Sequence, residues 1–212
     1  DEAARSFDRL VMVGGPGSGK TTFLKHLALK SSKENLQRQE RTVIPIFINL
    51  RRFSESRKSL RRYIDEVFEQ YDFPKAKDFV EKDLKEGRCQ LLLDGFDELA
   101  SGERQEKVQG RIERFLRNYR KNRVFVTSRI AGYHDELKGF TKLELLEFDD
   151  KQIERFINNW FGKANSEKAR SLNAAVKENE RIRALGRNPL MIAVMAVIYE
   201  KGRELPQRRV EL

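Results

Sequence analysis

Cysteine, histidine and long apolar runs are scarce in this chain. A single cysteine among 212 residues, Cys89, excludes an internal disulfide and fits a reducing compartment, so a cytoplasmic protein is expected. Cys89 abuts an apolar run and reads as a small buried hydrophobe rather than a nucleophile. One cysteine and two well-separated histidines, His26 and His134, do not supply the tetrahedral N and S ligand set of a zinc site. No apolar run approaches the roughly 18 residues of a membrane span, and no signal peptide opens the chain. Residues 1–8 are polar and lack an initiator Met, which points to a chain cut from something longer. Internal repeats and low-complexity tracts are missing too.

What is present is a charged, globular composition. Hydrophobic residues make up 39% and charged residues 36%, enough for a real core under a heavily solvated surface. The net charge of +10 allows an anionic partner. Its densest cluster is Arg51, Arg52, Arg57, Lys58, Arg61 and Arg62, running into a helix whose apolar stripe is Leu60, Ile64, Val67, Phe68 and Tyr71. A solvated helix face accounts for these cations. A nucleic-acid surface ranks last, because no base-reading motif accompanies them.

The stretch LVMVGGPGSGKTT, residues 10–22, organises the rest. An apolar run breaks into glycines, and Phe23, Leu24, Leu27 and Ala28 then follow at helical spacing, giving strand, loop and helix. The loop fits GxxxxGK[ST] from Gly14 to Thr21 through Gly15, Pro16, Gly17, Ser18, Gly19 and Lys20, with Thr22 next. Gly14 and Gly19 lack a Cβ, so the backbone there is free to take positive φ and curl its N–H groups around a phosphate. The start of the following helix adds unpaired N–H groups and the positive end of its dipole. Lys20 is placed to reach phosphate oxygens, and the Thr21 hydroxyl to ligate Mg²⁺.

QLLLDGFDEL, residues 90–99, offers a second group of candidate site residues. Three leucines in a row suit a central strand covered on both faces, and Asp94 then emerges at the carboxyl end, where open α/β sheets bind ligands. Asp94 is the expected magnesium partner of Thr21. Asp97 and Glu98 are candidates to align or deprotonate a water, and equally candidates for the acidic N-terminus of the next helix. Residues 124–127, VFVT, form a further strand that leaves Arg129 on the same rim, where its charge can meet a γ-phosphate.

Other elements follow from pattern. The helix after the loop is expected to fade through residues 31–35, SSKEN. VIPIFINL, residues 43–50, is a strand in which Pro45 suggests an edge. Helices are expected over 60–71, 75–85 and 103–119, and a last strand over 143–148, LELLEF. Alternation of this kind predicts right-handed crossovers and a parallel sheet with helices on both faces. From residue 149 the chain reads as helical. Ile153, Phe156, Ile157, Trp160 and Phe161 form one stripe, with Trp160 packed inward; a second helix spans 166–185; a third spans 190–199, with Pro189 in its first turn.

Together GGPGSGKTT, LLLDGFDEL, VFVTSR, NPLMI and LPQRR resemble a NACHT domain, the nucleotide-binding module of STAND NTPases. The resemblance covers nearly the whole chain. Its most discriminating element is DGFDEL, since ordinary AAA+ ATPases place the catalytic glutamate where Gly95 stands. It implies an α/β P-loop NTPase, a three-layer sandwich with sheet order 5-1-4-3-2. The implied domains are a nucleotide-binding domain over 1–148, a small helical domain over 149–205, and a linker over 206–212 toward a winged-helix domain that the chain lacks, as it lacks effector and sensor domains. It implies Mg²⁺ with ATP or ADP as ligands, Asp97 and Glu98 near the γ-phosphate, Arg129 as its sensor, and Pro189 against the base. Slow hydrolysis and nucleotide-gated self-association in signalling or immune defence follow from the same likeness. A steadily turning over ATPase is the alternative.

Overall fold

Alternation within the strands decides the layers. A computed structural model describes residues 6–38, 43–73, 76–99 and 102–202. It divides into two compact units, Asp1–Gly14 with Lys20–Glu144, and Gly15–Gly19 with Leu145–Leu212.

In the first unit, β1 (Arg9–Val13), β2 (Ile44–Asn49), β3 (Cys89–Asp94), β4 (Arg123–Ser128) and β5 (Thr141–Glu144) form one parallel sheet. The order β2-β3-β4-β1-β5 is the expected 5-1-4-3-2 read from the other edge. Successive side chains point to opposite faces. Leu10, Met12, Leu92 and Phe125 therefore pack on Leu24 and Leu27 of helix α1 (Lys20–Arg38). Val11, Val13, Leu91, Leu93, Val124 and Val126 pack on the other face. They meet α2 (Leu50–Glu55), α3 (Leu60–Glu69), α4 (Ala76–Glu86) and α5 (Glu103–Asn118). Three layers result, with β3 buried along its whole length.

Several boundaries depart from expectation for local reasons. Helix α1 does not fade at SSKEN but continues to Arg38. Ser31 hydrogen-bonds Gln90 of β3, and the Asn35 amide clasps both the N–H and C=O of Val43, so polar residues there gain partners by staying helical. Strand β2 stops one residue early because Asn49 accepts from Arg52 N at 3.0 Å and so caps α2, a helix the pattern did not reveal. Pro45 does lie on the sheet edge. The last strand sits at 141–144 rather than 143–148, in register with residues 10–13 of β1. Residues 145–148 leave the sheet, Leu146 is exposed, and the N–H of Phe148 donates to Arg187 O. The helix start expected at residue 75, LPQRR and the 206–212 linker lie outside the described residues.

The second unit holds α6 (Asp150–Phe161), α7 (Ser166–Glu178), α8 (Glu180–Gly186) and α9 (Pro189–Glu200). Asp149 and Gln152 form a reciprocal capping box on α6. Ile153, Ile157 and Phe161 pack with Leu172, Val176, Ile182, Ile192 and Met195. Trp160 instead is 42% exposed and stacked on Phe156, because it falls at the margin of the stripe. The single helix expected over 166–185 is two. Asn179 is extended and its side chain accepts from Arg181 N and Ile182 N, restarting the helix as α8. Among the described residues no single helix is long and apolar enough to cross a membrane.

Candidate functional site

The register of the sheet brings three strand ends level. Val13 pairs with Ser128, Leu93 with Val126, and Asn49 with Asp94, so the residues after β1, β3 and β4 share one rim. Asp94 is a buried carboxyl there, and hydroxyl partners account for its burial. Thr21 Oγ1 lies 3.0 and 2.9 Å from its two oxygens, and Thr127 Oγ1 donates to Oδ1 at 2.6 Å. Thr127 in turn accepts from Gly95 N at 3.0 Å, which directs its one proton to the carboxylate. Gly95 has φ +83°, and an added Cβ would lie 3.1 Å from the Glu98 side chain.

Asp97 sits in the short 3-10 turn Phe96–Glu98, ahead of α5 and separate from it. The first-turn acids of α5 are Glu103 and Glu106, so Asp97 and Glu98 do not form that helix's acidic start. Both Asp97 oxygens face Arg129: Oδ1 accepts from the backbone N–H at 2.9 Å and Oδ2 pairs with Nε at 3.0 Å. The Arg129 side chain is 59% exposed while that of Asp97 is 11% exposed, so the carboxylate anchors a cation whose outer end faces water. Glu98 is exposed.

Lys20 is half-buried and donates to Gly14 O at 2.8 Å. Burial depresses its pKa; Asp97 and Asp94 act in the opposite sense, and Arg129 adds to the depression. Lys20, Thr21, Asp94, Asp97 and Arg129 thus form one electrostatic group. Thr22 follows on α1 and is exposed.

The loop itself lies in the second unit. Gly17 and Gly19 take positive φ, +76° and +92°, whereas Gly14 does not; the left-handed turn falls inside the loop rather than at its first residue. Ser18 N donates to Gly15 O at 3.2 Å and closes a turn over the exposed Pro16. Pro189 occupies the first turn of α9, and the residue before it contacts the loop: Asn188 Nδ2 donates to Pro16 O at 2.9 Å.

Sequence reasoning missed Thr127, Gly132 and Asn188. Thr127 was legible only once the strand order set β4 beside β3. Gly132 lies in the turn after Arg129, where a Cβ would come within 2.7 Å of Asp97 Cβ. Asn188 carried a signal, an Asn before Pro at a helix start.

The first-unit residues fit a magnesium ion. Thr21 and Asp94 converge hard oxygen donors from two elements, the ligand type Mg²⁺ takes alongside phosphate and water. No group of three or more His, Cys, Asp or Glu among the described residues could hold a metal by itself. Cys89 is buried and its thiol is pushed up to about 12 by burial, as suits a core residue.

Residues 8–164 match the NACHT domain family. The chain is also similar in structure to AMPPCP-bound DnaA from Aquifex aeolicus, at a TM-score of 0.53 and 17% identity, covering 94% of this chain and 57% of that one. A DNA replication initiation factor aligns at a TM-score of 0.52 and 18% identity over 95% of this chain and 59% of its own. The chain therefore spans less than two thirds of either protein's length, and at such identities the likeness concerns fold. No curated protein sequence matches.

Proposed function

From the premise that the chain belongs to the NACHT family, a family of nucleotide-binding P-loop domains, we propose that it is an ATP/ADP-dependent switch with slow NTPase activity. It would serve as one module of a larger signalling or immune-defence protein in a reducing compartment, with self-association of the whole protein as the output. The reading takes residues 1–148 as the nucleotide-binding domain, 149–205 as a small helical domain and 206–212 as a linker.

The observation that carries the reading is the grouping of Lys20, Thr21, Asp94, Asp97 and Arg129 at the carboxyl rim of the sheet. Residues 14–22 cradle the phosphates, with Lys20 supplying a point charge to the terminal ones. Thr21 and Asp94 would hold Mg²⁺, which neutralises phosphate charge when bound. Arg129 presents its outer guanidinium nitrogens to the γ-phosphate, while Asp97 holds Nε and the backbone in place. Because Asp97 is committed to Arg129, Glu98 is the better aligner of water. Pro189 packs against the base. A ligand shifts a two-state equilibrium only through different affinities for the two states, and a γ-phosphate contact with Arg129 supplies that difference.

Calorimetry with Mg²⁺ and ATP, ADP, GTP or GDP tests this. Adenine nucleotides should bind, and Lys20→Ala should weaken them roughly 10- to 100-fold through loss of a charge-assisted contact. Unchanged affinity in that variant sinks the assignment.

A further inference from the structure

The cap of helix α9 does two things at once. Asn188 Oδ1 accepts from Leu190 N at 3.0 Å and Met191 N at 3.3 Å, an ordinary helix cap. Its Nδ2 donates to Pro16 O at 2.9 Å, and Leu190 N also reaches Gly17 O at 3.2 Å. Asn, Asp and Ser cap helices about equally well, but only Asn carries an amide donor beside its acceptor. Gly17 leaves the room this needs: a Cβ there would lie 2.7 Å from Asn188 Oδ1 and 2.8 Å from Leu190 Cβ. Loop 15–19 and α9 belong to the same compact unit, so these bonds are part of its internal packing.

In a trans peptide the C=O and N–H point in opposite directions. Holding Pro16 O from outside aims the Gly17 N–H away from Asn188, and the Ser18 N–H is already spent on Gly15 O. The start of α9 therefore sets the orientation of peptide planes in the loop.

We infer that Asn188 is a positioning residue for the nucleotide phosphates, acting through the outer side of the phosphate loop. This rests on the nucleotide-binding reading above. It also gives the family's loop a second support, from a helix about 170 residues further along the chain.

The test uses the 212-residue chain with Asn188→Asp, Asn188→Ser and, as reference, Lys20→Ala. Each is measured for its melting temperature without nucleotide and for its Kd for Mg·ADP. Asn188→Asp keeps the cap acceptor but sets a carboxylate oxygen against Pro16 O. Its nucleotide-free Tm should stay within about 2 °C of the parent. Its Kd should rise about tenfold, and the stabilisation conferred by Mg·ADP should shrink in step. Asn188→Ser, a cap too short to reach Pro16, should show the same loss. Parent-like affinity in both Asn188 variants, with binding weakened in Lys20→Ala, overturns the inference and leaves the binding reading standing. A lower Tm with an undiminished stabilisation by Mg·ADP overturns it as well, since Asn188 would then be a cap alone. A parent chain that binds no nucleotide, or a Lys20→Ala chain that binds like the parent, overturns both.

Discussion

Asp97 is held by the segment that follows β4. Arg129 grips its carboxylate through one backbone and one side-chain nitrogen, and Gly132 closes over its Cβ with no space to spare. An alanine at 132 must displace the 3-10 turn or the acid, a form of overpacking that costs about 1–3 kcal/mol. If Asp97 orients the γ-phosphate sensor, Gly132→Ala should also reduce the preference for ATP over ADP several-fold, measured as a ratio of Kd values. A ratio equal to that of the parent chain would show that the position of Asp97 does not govern discrimination. A similar economy holds at Asp94, whose burial is made tolerable by the hydroxyls of Thr21 and Thr127.

Elements were legible in the sequence wherever one signal sufficed. The run from β1 through the glycines to α1 carries periodicity, loop chemistry and helix resumption together, and LLL before Asp94 marks a central strand without help from elsewhere. Legibility failed where a long-range partner decides the matter. The tail of α1 is helical because Asn35 finds Val43, just ahead of β2, and Ser31 finds β3, and β5 takes its register from β1, not from its own apolar run. Thr127 acquires its role only through the strand order. Asn179 is a case where a local signal was present but masked by continuous helical composition on both sides. Its side chain starts α8, so Asn179→Ala should cost about 1 kcal/mol. For a chain of this size that lowers Tm by about 3 °C in a circular-dichroism melt. An unchanged melt would mean that the packing of Ile182 alone sets the break.

At the scale of the whole molecule, charge is distributed so that part of the basic surface is used internally. Arg61 lies within the basic cluster yet turns inward to Asp65 and Glu81, and Tyr119 and Lys85 join the same carboxylate. The network ties α3 and α4 to the end of α5. Arg61 above all holds the Glu81 carboxyl down at about 2, against burial acting the other way. The unfolded chain takes up this proton near pH 4.5, the folded chain only near pH 2. The stabilisation is therefore complete above that window and lost as pH falls through it. Glu81→Gln should flatten the decline of Tm between about pH 5 and pH 2. Parallel declines in the two chains would assign acid sensitivity to other groups.

The sheet edge at β2 has a consequence for growth of the molecule. Ile44 N points inward to Arg88 O, so the next position, Pro45, faces outward, and there the chain has no hydrogen to offer. A foreign strand arriving alongside would find its ladder interrupted at the first outward-facing rung of β2. Polymerisation through continuous cross-molecular β-structure is thereby discouraged on this flank of the sheet.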